Sequence, residues 1–154
     1  MIFDVELYDR FPFPLDVRYW SEVNWELLGD FVYLAECGLT ITAEKGFYFD
    51  MGSVPNGVDA FVSKVEYAFA YTIHDKACKT LTWDDGTPMT RLDADNLFLE
   101  VARYVIKVNK DYDLKYAKGW WKKTKFRIHW GWKKFKAKRA YRWIRRYAIS
   151  KGME

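Results

Sequence analysis

The sequence has few of the residues that mark disulfide-rich, zinc-binding or membrane-spanning proteins. Its two cysteines, Cys37 and Cys78, are too few for a disulfide framework. It has only two histidines and no CxxC or HExxH spacing, which argues against a structural zinc site. No stretch approaches the roughly 20 consecutive apolar residues of a transmembrane helix. The N-terminus lacks the basic and apolar regions of a secretory signal peptide, so we expect folding in a cytoplasm.

Hydrophobic and aromatic residues are plentiful, and charge is unevenly distributed. Half of the 154 residues are hydrophobic and 19% are aromatic, enough for the core of one domain spanning 1–154. Residues 1–109 carry 9 Lys/Arg and 18 Asp/Glu, a formal charge of −9. Residues 110–154 carry 16 and 3, a formal charge of +13. This basic, aromatic third of the chain either neutralises the acidic body or binds an anionic partner.

Local patterns predict an α+β fold. Residues 1–59 read as strands and a loop: IFDVEL, then an antiparallel meander of three or four strands with turns at Gly29-Asp30 and Cys37-Gly38. Residues 60–109 predict an antiparallel helix pair over about 60–79 and 90–107, the second opening on a Thr90–Asp93 capping box. Residues 110–154 predict one or two further basic helices interrupted near Gly131.

A polar cluster interrupts this apolar helix pair. His74 and Asp75 lie in a helix that is apolar nearly all round, and buried polar groups require hydrogen-bond partners. Asp95 and Arg91, one turn apart on the second helix, can reach the same groove. The preceding loop offers two further polar residues, which are Asp50 and Ser53. The residues alone leave three hypotheses: a structural ion-pair network, a metal or ligand site, or a hydrolytic centre.

Three motifs carry a resemblance to a known family. They are FYFDMGSVP, YTIHDKAC and TRLDADNLF. In this order they resemble the phage and prophage family catalogued as domain of unknown function 1353, over roughly residues 30–135. The matching positions are Asp50, Ser53, Pro55, His74, Asp75, Arg91, Ala94 and Asp95. The resemblance implies a phage or prophage origin, in the host cytoplasm or the virion, and no assigned activity.

The helix-borne His-Asp pair also resembles the secreted phospholipases A2, more faintly. That likeness implies His74 as general base, Asp95 as the residue that orients its imidazole, and Asp75 as a calcium ligand. Asp50 would supply a further oxygen. The chain departs from that family because residues 50–57 are not its glycine-rich calcium loop and its flanking cysteines are missing. A metal-assisted hydrolase is therefore the alternative to an accessory protein without catalysis.

The C-terminal third contains a basic amphipathic helix. Helical projection places Trp132, Phe135, Ala140, Trp143, Ile144 and Tyr147 on one half. The other half carries Lys134, Lys138, Arg139, Arg142, Arg145 and Arg146. The aromatic half either packs on the domain or contacts an anionic membrane or a nucleic acid. The basic half is the expected binding surface for such a partner, or for virion proteins.

Overall fold

The computed structural model describes residues 8–21, 24–50 and 67–153, where five short strands precede three helices. The strands are β1 (Val17–Ser21), β2 (Asn24–Leu27), β3 (Phe31–Leu34), β4 (Thr40–Ala43) and β5 (Tyr48–Phe49). The helices are α1 (Ala68–Thr80), α2 (Arg91–Tyr116) and α3 (Trp120–Ser150). The predicted α+β class is confirmed. The strand predicted at IFDVEL lies outside the described residues.

The strands form two small antiparallel sheets. One has the order β1-β2-β5 and the other pairs β3 with β4 around a turn in which Gly38 has φ of 85°. The hairpin predicted at Gly29-Asp30 is wrong, because β2 and β3 belong to different sheets. The backbone N–H groups of Leu27 and Leu28 donate to Phe47 and Asp16, which leaves them unavailable to β3. This segment therefore links the two sheets.

An aromatic core joins the second sheet to α1. The ring of Phe11 lies 5.0 Å from Phe31 of β3 and 4.9 Å from Phe69 of α1, measured between centroids. Phe11 and Phe31 are both completely buried. Rings at these separations contribute roughly 0.5–1.5 kcal/mol per pair beyond the area that they bury. This packing fixes the orientation of α1 and thus of the polar residues one turn further along it.

The pairing of α1 with α2 is antiparallel, as predicted. Tyr71 of α1 packs on Phe98 of α2 with centroids 5.0 Å apart, while the later His74 bonds to the earlier Asp95. The predicted Thr90–Asp93 capping box is confirmed at the start of α2. That helix continues well past its predicted end at residue 107, where Nε1 of Trp130 donates to Asp113 at 2.8 Å. Packing against α3 thus stabilises the additional turns.

Helix α3 runs unbroken for 31 residues and packs on α2. The interruption predicted near Gly131 is wrong. A glycine inside a helix costs about 1 kcal/mol relative to alanine. Burial of Trp130, Ala137 and Ala140 offsets that cost. No helix within the described ranges has the length and apolar character needed to cross a membrane.

Candidate functional site

His74 is fixed in the groove between α1 and α2. Its side chain is 8% exposed, and its Nε2 lies 2.9 Å from Oδ1 of Asp95. The ring of Phe98 packs edge-on against the imidazole with centroids 5.9 Å apart. One hydrogen bond and one aromatic contact therefore hold the ring in a single orientation.

Asp95 is the centre of the cluster. It is completely buried and interacts with three positively charged or polarisable groups from three helices. Besides His74, its Oδ1 accepts from Nε of Arg91 at 3.2 Å, and its Oδ2 accepts from Nη1 of Arg145 at 3.0 Å. Burial alone raises the pKa of Asp95, but the bonds from His74 and Arg145 outweigh it and hold the pKa below its ordinary value. Asp95 is therefore ionised at neutral pH.

His74 also contacts a second carboxylate through Nδ1 and a thiol through Nε2. Its Nδ1 lies 3.5 Å from Oδ1 of Asp75, and Sγ of Cys78 lies 3.3 Å from Nε2. Burial lowers the pKa of His74, but its interactions with Asp75, Asp95 and Cys78 raise that pKa well above 6.5. This geometry favours the protonated form of the ring, because Nε2 faces Asp95 and Nδ1 faces Asp75.

Asp75 faces an open cavity of about 370 Å³ that Asp50, His74 and Cys78 also line. Its Oδ2 is buried and has no hydrogen-bond partner among the described residues. Burial raises the pKa of Asp75 and the nearby Asp50 raises it further, while the charge of His74 opposes both effects. Two carboxyl groups at one cavity wall are a place where a proton or a cation relieves repulsion.

Two neighbouring sets of donor atoms could hold a metal. Ligand atoms of His74, Cys78 and Asp95 all lie within 4.8 Å of one another. Arg91 and Arg145 already occupy the carboxylate of Asp95, so a cation there would meet two positive charges at short range. Asp75 and Asp50 line one cavity, together with Lys79 and Arg91, and their carboxylates supply the oxygen ligands that calcium prefers to nitrogen and sulfur. The second set is the more suitable for a hard cation.

The structure brings together most of the predicted cluster. His74, Asp75 and Asp95 are in contact, Arg91 bonds to Asp95, and Asp50 lines the shared cavity. Ser53 lies outside the described residues, so its predicted place in the cluster stays a prediction.

Sequence reasoning missed two members of the cluster. Cys78 lies four residues after His74, and that spacing places it on the same helix face. Arg145 lies 50 residues after Asp95 in the chain, and no local pattern connects them. A buried carboxylate does require positive partners, which was the only available signal. Arg145 was predicted within the partner-binding surface, yet its guanidinium bonds inward to Asp95.

The outer face of α3 is a second candidate site. Of the six residues on its predicted apolar half, Ala140 is buried and Ile144 is half-buried. The other four are exposed to between 38% and 54%, and they are Trp132, Phe135, Trp143 and Tyr147. Packing of the whole aromatic half on the domain is therefore wrong. Twelve Lys/Arg and no Asp/Glu share this helix.

The fold and the first site together define a class of protein. It is an α+β protein in which a helix-borne His-Asp pair bonds to an aspartate of the next helix. The chain belongs to the family described as Protein of unknown function (DUF1353), whose model matches residues 25–117. The matched region contains His74, Asp75, Arg91 and Asp95 and ends before α3. No curated protein and no solved structure matches the chain.

Proposed function

We propose that this chain is a phage- or prophage-encoded accessory protein that binds an anionic partner through α3. The observation that carries the proposal is that all the charged residues of that helix are basic: it has twelve Lys/Arg and no acidic residue. Lys134, Lys138, Arg139, Arg142 and Arg146 are all exposed. A helix of this kind attracts polyanions by charge neutralisation and counterion release.

Arg145 stands apart from this binding surface. Its side chain is 18% exposed and its Nη1 bonds to Asp95. A guanidinium committed to a buried carboxylate cannot turn outward without leaving that carboxylate partly unpaired. The proposed surface therefore consists of the five other basic residues. Arg145 instead attaches α3 to the helix pair.

Titration of the protein with an anionic probe at several salt concentrations tests this proposal. The two probes are phosphatidylglycerol vesicles and a single-stranded oligonucleotide. The triple variant Lys134→Gln/Lys138→Gln/Arg142→Gln should lose at least tenfold in affinity for the bound probe, at about 1 kcal/mol for each charge. The matched control is Arg18→Gln/Lys45→Gln/Lys110→Gln, which changes the net charge equally elsewhere. Equal losses in both variants would contradict binding through α3.

A second candidate function is metal-assisted ester hydrolysis at His74. The observation that favours it is the 2.9 Å contact of His74 with Asp95 at the wall of an open cavity, beside the unpartnered Oδ2 of Asp75. Asp95 would orient the imidazole, which would take a proton from the attacking water. Asp75 and Asp50 would hold a calcium ion, whose chemistry is to polarise the ester carbonyl.

This hydrolase requires a neutral imidazole, whereas its two carboxylate neighbours favour the charged form. The expected activity is therefore greater at alkaline pH than at neutral pH. The test is fatty-acid release from mixed anionic vesicles, with and without calcium, by the wild type and by His74→Ala. Calcium-dependent release that the variant lacks supports the candidate. Absence of release from the folded wild type at every pH contradicts it.

A further inference from the structure

We propose that the outer face of α3 docks on an anionic lipid bilayer, with its rings inserted among the headgroups. This inference rests on the proposed function, because it names the partner of the same basic helix. Five large apolar side chains form what we call the outer stripe, and they are Trp121, Ile128, Trp132, Phe135 and Trp143. At about 100° per residue, these five lie within about 80° of the helix circumference.

The outer stripe lies opposite the face that packs on the protein. Ala137, Ala140 and Ala148 are at most 4% exposed and form the inner face. Trp121 and Ile128 are 73% and 70% exposed. A helix with one packed apolar face ordinarily presents polar residues to solvent. A second apolar stripe on the solvent side therefore indicates a surface that becomes covered by a partner.

Basic side chains are interleaved with the rings of the stripe. Arg139, Arg142 and Arg146 line a shallow hollow of about 280 Å³ together with Phe135 and Trp143. The guanidinium of Arg139 lies 5.9 Å from the centroid of Phe135. Neither Arg142 nor Arg146 has an acidic partner among the described residues. Guanidinium groups beside exposed rings suit lipid phosphates lying next to the acyl boundary.

The shape and chemistry of the stripe favour a bilayer over a nucleic acid. A helix of 31 residues is a convex ridge about 45 Å long, which matches a flat surface. Proteins that hold single strands combine a basic groove with aromatic platforms on which bases stack. Ile128 offers no such platform, while tryptophan and aliphatic side chains opposite basic ones typify helices lying in the membrane interface.

Two pairs of exposed rings provide a matched test. Trp132 and Phe135 stack at 5.3 Å on the stripe and are 54% and 46% exposed. Tyr112 and Tyr116 pack at 4.7 Å on α2 and are 47% and 59% exposed. The first pair inserts into the bilayer according to this inference, and the second does not. Replacing each pair by alanine thus removes comparable exposed surface from the two helices.

The experiment measures co-sedimentation of the full chain with phosphatidylcholine vesicles, with and without phosphatidylglycerol, and fluorescence anisotropy of a labelled single-stranded oligonucleotide. We expect binding to the anionic vesicles only. Trp132→Ala/Phe135→Ala should weaken it about tenfold or more, and Tyr112→Ala/Tyr116→Ala should leave it unchanged. Circular dichroism and thermal unfolding confirm that each variant is folded.

The other outcomes distinguish failure of the bilayer inference from failure of the proposed anionic partner. Oligonucleotide binding without vesicle binding overturns the bilayer and leaves an anionic partner for α3. Vesicle binding that depends on charge but not on the Trp132–Phe135 pair overturns insertion of the stripe. Absence of binding to both probes overturns the inference and the proposed anionic partner together.

Discussion

Arg145 and Arg142 lie three residues apart on α3, but Arg145 is largely buried and Arg142 is exposed. Arg145 bonds to the buried carboxylate of Asp95, where three helices meet. Arg142 is exposed beside Trp143 on the outer face, with no acidic partner among the described residues. Asp95 pairs with charged side chains within the fold, whereas the outer face of α3 exposes charges and rings together. The difference separates the residues that hold the fold from those that are available to a partner.

The largest expected effect follows from removing Asp95. The substitution Asp95→Ala removes the buried counter-charge of Arg91 and Arg145 and leaves the imidazole of His74 with Asp75 as its carboxylate neighbour. Such a loss costs about 3–5 kcal/mol of unfolding free energy. Urea unfolding followed by circular dichroism measures it. A loss below about 1 kcal/mol would mean that the cluster is hydrated and weakly coupled. Its charges would then contribute no more to stability than the exposed charges of the outer face.

A second expected effect is a pH dependence of the unfolding free energy that originates at His74. The folded-state pKa of His74 is raised, so its stabilisation is fully present below about pH 6.5 and is lost as pH rises through the raised value. The unfolding free energy of the wild type should therefore exceed that of His74→Gln most at mildly acidic pH. Urea titrations across a pH series measure this difference. A difference that stays constant into the alkaline range would contradict the charged imidazole.

The smallest expected effect is a difference in unfolding free energy between substitutions at two tryptophans of α3. Trp130 is 7% exposed and donates from Nε1 to Asp113, while Trp132 is 54% exposed. Trp130→Phe should cost about 1–2 kcal/mol, from the lost hydrogen bond and some lost packing. Trp132→Phe should change the unfolding free energy by less than about 0.5 kcal/mol. Thermal unfolding of the two variants measures both changes in stability. Equal losses of unfolding free energy would show that the outer face is also packed.

Local sequence patterns predicted the structural features that are formed by residues close together in the chain. The apolar surroundings of His74, the Thr90–Asp93 capping box and the turn at Gly38 all follow from residues close together in the chain. The contact of His74 with Asp95 was also predictable, because a short connection makes α1 and α2 antiparallel neighbours.

The errors concern interactions between distant segments. The division of the strands into two sheets depends on Leu27 pairing with Phe47, and turn propensity at Gly29-Asp30 does not encode that choice. The continuity of α3 through Gly131 depends on packing with α2, which outweighs the propensity of a single glycine. The role of Arg145 follows from the same packing, since 50 residues separate it from Asp95.

The most direct test of the two-faced α3 measures stability and vesicle affinity in Arg145→Gln and Arg142→Gln. We predict that Arg145→Gln lowers the unfolding free energy by about 1–3 kcal/mol and leaves the affinity of the folded protein for phosphatidylglycerol vesicles unchanged. Arg142→Gln should leave the stability within about 0.5 kcal/mol and weaken vesicle binding about fivefold. Indistinguishable effects of the two substitutions on both quantities would contradict the separation of an inner, structural face from an outer, binding face.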